Sequence, residues 1–178
     1  MQPIAFSHRL HAGELEVSCL YCHADAQKGR HAGIASASVC MNCHRFVTAP
    51  PRDMRAEAEL AKEEKRSPRT LISPELARLY AALGVGDKPQ ADPTGPTTPI
   101  RWVKVHNLPA FTRFDHGAHV SAGVTCQRCH GPVESMERVR QVEDLSMGWC
   151  VQCHRDAAEH GVAGRVVHPS NDCTTCHH

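Results

Sequence analysis

Residues 114–132 read FDHGAHVSAGVTCQRCHGP. The stretch closes on Cys126-Gln127-Arg128-Cys129-His130, a CxxCH box, and opens with a His-x-x-His pair, His116 and His119. The box recurs at Cys19-Leu20-Tyr21-Cys22-His23, Cys40-Met41-Asn42-Cys43-His44, Cys150-Val151-Gln152-Cys153-His154 and Cys173-Thr174-Thr175-Cys176-His177. Together the boxes use all 10 cysteines of the chain.

CxxCH is the attachment motif of c-type haem. Cysteines three apart on a helical turn share a face, so their sulfurs can bond the two vinyl groups of one porphyrin. The next residue then offers an imidazole to the iron as proximal ligand. Half of a zinc site or a thioredoxin-like dithiol would also use CxxC, but neither requires a His after every pair. The expectation is therefore five covalently bound haem c groups, with His23, His44, His130, His154 and His177 as proximal ligands.

The composition agrees. The chain has 178 residues, enough for one domain or two small ones, and only 4% are aromatic. That is thin material for an ordinary core, whereas porphyrins are large apolar bodies held from inside. The fold class expected is mainly α with few regular elements, little β-structure and many loops, the haems forming the core. A formal net charge of +1 excludes a nucleic-acid partner, which calls for a marked basic surplus.

Thioether attachment takes place outside the cytoplasmic membrane, so the protein is expected on the periplasmic side. Met1-Gln2-Pro3-Ile4 leads into a polar segment without a secretory signal. No apolar run approaches the ~18 residues of a membrane span. Export and attachment are therefore expected to depend on a segment or partner not seen in these residues.

Three regions follow in order. Residues 1–49 form a dihaem unit. Residues 50–99 are a helical insertion and Pro-rich linker, and residues 100–178 form a trihaem unit. Phe6-Ser7-His8-Arg9-Leu10-His11 and Phe114-Asp115-His116-Gly117-Ala118-His119 are an internal repeat, each ahead of a box. In His-x-x-His the two side chains diverge on a short turn, so each can serve a different neighbouring haem. His8, His11, His116 and His119 are the leading candidates for sixth ligands, followed by His31, then by His106 and His168. His160 and His178 read as surface residues.

No histidine lies between the third and fourth boxes, where Met136 and Met147 stand. Thioether sulfur is a haem ligand that raises the reduction potential, which makes Met136, and less so Met147, candidates for the fourth haem. In the insertion, residues 50–66 read as a charged helix whose face is solvated or meets a partner. Residues 73–83 read as a capped one, with Ser73, Pro74 and Glu75 at its start and Gly84 at its end. Its face of Leu76, Leu79, Tyr80 and Leu83 should pack against haem units. Residues 86–99 read as an extended linker, and residues 100–108 as a short extended segment.

The chain resembles the pentahaem cytochrome subunit of alternative complex III, a bacterial quinol-oxidising complex. The resemblance rests on PIAFSHRLHAGE (3–14), HAGIASASVCMNCH (31–44), WVKVHNLPAFTRFDHGAHV (102–120), CQRCHGPVESMERV (126–139) and LSMGWCVQCHR (145–155). VKVHNLP and MGWC are more specific than the boxes. The resemblance implies a class III-like multihaem cytochrome fold and docking on a membrane complex with iron–sulfur and quinol-binding subunits. It also implies electron delivery to a monohaem cytochrome c or a soluble acceptor. It carries over His8, His11, His31, His116 and His119 as distal ligands, with Met136. Two features depart from it: no N-terminal anchor is visible, and residues 50–99 match poorly.

The function expected is electron transfer rather than catalysis by this chain. A free periplasmic shuttle is one alternative. A multihaem nitrite or hydroxylamine reductase is another, but it needs an iron with an open position, and the CxxCK box that usually marks it is absent.

Overall fold

The computed structural model describes residues 1–177, so His178 lies outside the described residues. Among the described residues there are eight α-helices: α1 (Cys19–Cys22), α2 (Ala37–His44), α3 (Pro51–Glu63), α4 (Pro74–Leu83), α5 (His116–Ala122), α6 (Gln127–His130), α7 (Met147–His160) and α8 (Cys173–Cys176). A π-helical turn spans Arg9–Glu14, and 3₁₀ turns span Ala24–Gln27 and Val133–Ser135. Among the described residues there is no β-strand, only isolated bridges of Thr112 with His177 and Val162 with Arg165. Residues 100–108 thus form no strand. Every CxxCH box lies on or at the edge of a helix, which turns both sulfurs toward one side.

The chain divides into two compact units. One holds residues 1–6 and 35–103, the other residues 7–34 and 104–178. These limits cut across the 1–49 stretch read as one dihaem unit. The first and second boxes fall in different units, because residues 35–49 pack with the insertion that follows them.

In the unit of residues 1–6 and 35–103, α4 supplies the core. The Ser73 hydroxyl accepts from the Leu76 amide, Pro74 opens the helix, and Gly84 closes it in the left-handed conformation at φ 69°. Leu79 and the fully buried Tyr80 pack on Met41 of α2, flanked by Leu76 and Leu83. The Tyr80 hydroxyl donates to the His44 carbonyl at 2.5 Å, tying α4 to the end of the second box. The apolar face therefore supports a haem-box helix, as its sequence predicts.

Helix α3 follows the Pro50-Pro51 break and is mostly solvated, but Glu57 is buried. Its carboxylate accepts from Arg66 at 2.5 Å and from the Arg69 amide at 2.8 Å, which holds its pKa down to about 2. Residues 86–99 carry no helix or strand but do not run out as an extended linker. Thr94 and Gly95 amides both donate to the Gly84 carbonyl, at 3.1 and 3.0 Å, and the Thr98 amide donates to Ala82 at 2.8 Å. The segment folds back over the open end of α4, whose last carbonyls need donors.

In the unit of residues 7–34 and 104–178, the π-helical turn packs on the Val133–Ser135 turn, and the Arg9 amide donates to the Met136 carbonyl at 2.8 Å. Gly13 permits this approach, since a Cβ there would collide with the Glu134 carbonyl oxygen. Helix α5 docks on the Ala24–Gln27 turn, its Gly117 amide donating to Gly29 at 3.0 Å. Among the described residues of this unit, the buried apolar side chains are Ala26 and Met136. Among the described residues no helix is long and apolar enough to cross a membrane.

Candidate haem-binding sites

The two halves of the Phe-x-His-x-x-His repeat are built alike. The residue before the first His caps the turn: Ser7 Oγ accepts from the Leu10 amide, and Asp115 Oδ1 from the Ala118 amide, both at 3.1 Å. The carbonyl of that same residue meets Nδ1 of the second His, Ser7 with His11 at 2.8 Å and Asp115 with His119 at 2.7 Å. The short polar residue ahead of each pair thus fixes both the turn and one imidazole.

The same device recurs at other candidate ligands. Nδ1 of His23 meets the Gly33 carbonyl at 2.7 Å, and Nδ1 of His44 meets Val47 at 2.8 Å. Nδ1 of His116 meets Arg30 at 2.7 Å, and Nδ1 of His154 meets Ser170 at 2.6 Å. A carbonyl can only accept, so Nδ1 carries the proton and Nε2 presents its lone pair. That tautomer and fixed ring plane are what a metal-ligating histidine requires.

Two ring pairs have the spacing of axial ligands. An imidazole nitrogen binds a first-row metal at about 2 Å, so rings on opposite sides of one ion have centroids about 6 Å apart. The His116 and His130 rings are parallel to 3° with centroids 6.3 Å apart, and those of His119 and His154 lie 6.0 Å apart at 34°. His130 belongs to the third box and His154 to the fourth. The fourth box therefore has a histidine facing it, supplied by the second His of the repeat.

The remaining candidates are placed as follows. His8 is half-buried, and its pKa is pushed down to about 4, first by burial, then by His23 and then by His11, so it lies within electrostatic reach of the first box. Met136 is 4% exposed beside the π-helical turn, whereas Met147 is 69% exposed. His31, His160 and His168 are exposed. His177 carries the Phe111 ring at 5.7 Å, and the Arg113 amide donates to Cys176 at 2.7 Å, so the chain leading into His116 runs along the fifth box.

Sequence reasoning missed the part played by His106. Its Nε2 lies 3.2 Å from Nδ1 of His130, and burial lowers its pKa. The pKa of His130 itself is pushed down to about 4, by burial first and then by His106, His116 and His23. The carbonyl anchors Arg30, Gly33, Val47 and Ser170 were missed as well, since a backbone acceptor leaves no mark in residue type.

The boxes within this unit adjoin one another. The Cys126 thiol is raised by burial first and shares a hydrogen bond with Cys19, joining the third box to the first. Cys129 is pushed up to about 11, by burial first and then by Cys153 and Cys150, joining the third to the fourth. Cys150 is raised by burial and then by Cys176, joining the fourth to the fifth. The Arg128 guanidinium also lies over the Trp149 ring at 5.8 Å.

The residues present fit haem c. None of the ten cysteines is in a disulfide, and the boxes hold each pair of sulfurs one helical turn apart. Among the described residues no three His, Cys, Asp or Glu side chains gather to hold a bare ion, as zinc would need. The scarcity of buried apolar side chains in residues 7–34 and 104–178 suits a unit completed by porphyrins.

The mainly helical fold, strand-free among the described residues, and its histidine-bearing boxes resemble those of multihaem c-type cytochromes, which carry electrons. Residues 112–178 match the family described as cytochrome c7 and related cytochrome c. Over 197 aligned positions the chain is 23% identical to the "Menaquinone reductase, multiheme cytochrome c subunit" of Nitratidesulfovibrio vulgaris (strain Hildenborough), covering 99% of this chain and 76% of that protein.

Proposed function

We propose that this chain is a pentahaem electron-transfer subunit on the periplasmic side of a membrane quinone oxidoreductase complex, of the alternative complex III kind. Iron–sulfur and quinol-binding subunits are its partners, and a monohaem cytochrome c or another periplasmic carrier accepts its electrons. The observation that carries the reading is the parallel His116–His130 pair, spaced for two ligands of one iron.

Each haem, when bound, exchanges one electron between ferric and ferrous iron. The ten box cysteines would hold the groups covalently, and His23, His44, His130, His154 and His177 would each supply one iron ligand. His116 completes the third site and His119 the fourth. By the symmetry of the repeat, His8 completes the first, where it senses His23, and His11 reaches to a neighbour. His31 fills the last open position, with Met136 as the alternative to it. The carbonyl-anchored rings keep their planes fixed, so little rearrangement accompanies a change of charge. The thiols of the first, third, fourth and fifth boxes lie within electrostatic reach of one another in series, which favours tunnelling along that order.

A second reading reverses the flow. The relative from N. vulgaris is named a menaquinone reductase subunit, which favours electrons entering from a periplasmic donor and leaving toward quinone. Anaerobic mixing of the detergent-solubilised complex with menaquinol separates the cases. Rapid reduction of the haem bands supports outward flow. Their oxidation by menaquinone, with no reduction by menaquinol, supports the reverse. A chain that purifies without partners and responds to neither is a soluble shuttle.

A further inference from the structure

Six histidines of the candidate set rest Nδ1 on a backbone carbonyl, whereas Nδ1 of His130 faces the Nε2 nitrogen of His106 at 3.2 Å. The two rings meet edge to face, with centroids 4.4 Å apart and planes crossed at 86°. His106 comes from the VKVHNLP stretch, far from the box in sequence. With iron on Nε2 of His130, the proton of that ring must sit on Nδ1. His106 then accepts at Nε2 and carries its own proton on Nδ1, so the nitrogen it would need as a distal ligand is engaged.

We infer that His106 is a positioning residue of the third haem site: it accepts a hydrogen bond from His130, fixes that ring parallel to His116, and strengthens it as a donor to iron. This rests on the reading that His130 binds iron. An imidazole nitrogen is a stronger base than an amide carbonyl, so it draws the Nδ1 proton further and gives His130 more imidazolate character. Hydrogen bonding of this kind raises ligand basicity, and a more basic ligand favours ferric iron. The third haem is thereby held at a lower potential than its axial histidines alone would set. On the other side the His116 plane is fixed by Arg30, so the 3° angle between the two rings is held from both ends.

Redox potentiometry and low-temperature EPR of the holoprotein test this with two variants. His106→Phe should raise the midpoint of one haem and alter one low-spin ferric signal, leaving the rest unmoved. Near-parallel axial rings give a rhombic signal, and a freed ring loses it. His106→Gln keeps an acceptor oxygen near the position of Nε2 and should restore at least half of the shift. Loss of the third haem in His106→Phe with retention in His106→Gln also supports the role. Unchanged potentials and spectra in His106→Phe would overturn it, as would failure of Gln to improve on Phe, including loss of the haem in both. A new high-spin signal in His106→Phe would make His106 itself a ligand and equally overturn it. Peptide mass analysis of the unaltered protein shows separately whether residues 126–130 carry haem, so failure of the underlying reading is distinguishable from failure of this one.

Discussion

At the scale of single residues, the molecule turns on how a histidine is held as much as on where it stands. His119 shows both. Its Nδ1 is tied to Asp115 in its own turn, and its ring faces His154 of another box. His119→Ala should leave one haem with an open position, seen as a high-spin ferric signal and binding of cyanide or carbon monoxide by that haem alone. Glu57 is a different case, a buried carboxylate unconnected with haem. Its hydrogen bond from Arg66, and then that from the Arg69 amide, lower its pKa from 4.5 to about 2. The unfolded chain therefore takes up the proton first. The contribution of Glu57 is complete above pH ~4.5 and is lost as pH falls through ~2. Glu57→Gln should lower the midpoint of unfolding at pH 7 and flatten its decline on acidification below pH ~4.5. The histidine pairs and box cysteines stand out in the sequence because their spacing suits haem attachment. Glu57 read as part of a solvated face, because its burial depends on Arg66 and the Arg69 amide folding back over it, which helix periodicity does not reveal.

At the scale of elements, α4 is written almost completely in the sequence. Ser73, Pro74 and Gly84 mark its ends, and Leu79 and Tyr80 its buried face. Tyr80 couples it to the second box through the His44 carbonyl. Tyr80→Phe keeps the ring and loses that bond, so it should cost about 1 kcal/mol of stability in denaturant unfolding of the holoprotein. The 86–99 segment was less legible. Its prolines announce an absence of helix and strand, but its return to Gly84 is made by backbone groups that any residues could supply. The π-helical turn was also invisible, since Gly13 reads as an ordinary glycine until the Glu134 carbonyl is set against it. The repeat, by contrast, predicted shared construction, and Ser7 and Asp115 perform the same two tasks.

At the scale of the whole molecule, the sequence suggested a dihaem unit and a trihaem unit joined by an insertion. The packing instead draws residues 35–49 to the insertion and groups the first, third, fourth and fifth boxes in the unit of residues 7–34 and 104–178. That regrouping depends on which helix covers Met41 and on the join of Cys19 to Cys126, which are long-range contacts that local motifs do not encode. The unit with four boxes buries almost no apolar side chains of its own, which suits an interior completed by covalently attached porphyrin. The most direct test is the intact mass of the holoprotein from a host able to attach haem, with peptide mapping of each box. Five haem increments on the 19.5 kDa chain and no cysteine open to alkylation are expected. A folded protein with fewer haems, or with alkylatable thiols in any box, would contradict the pentahaem reading.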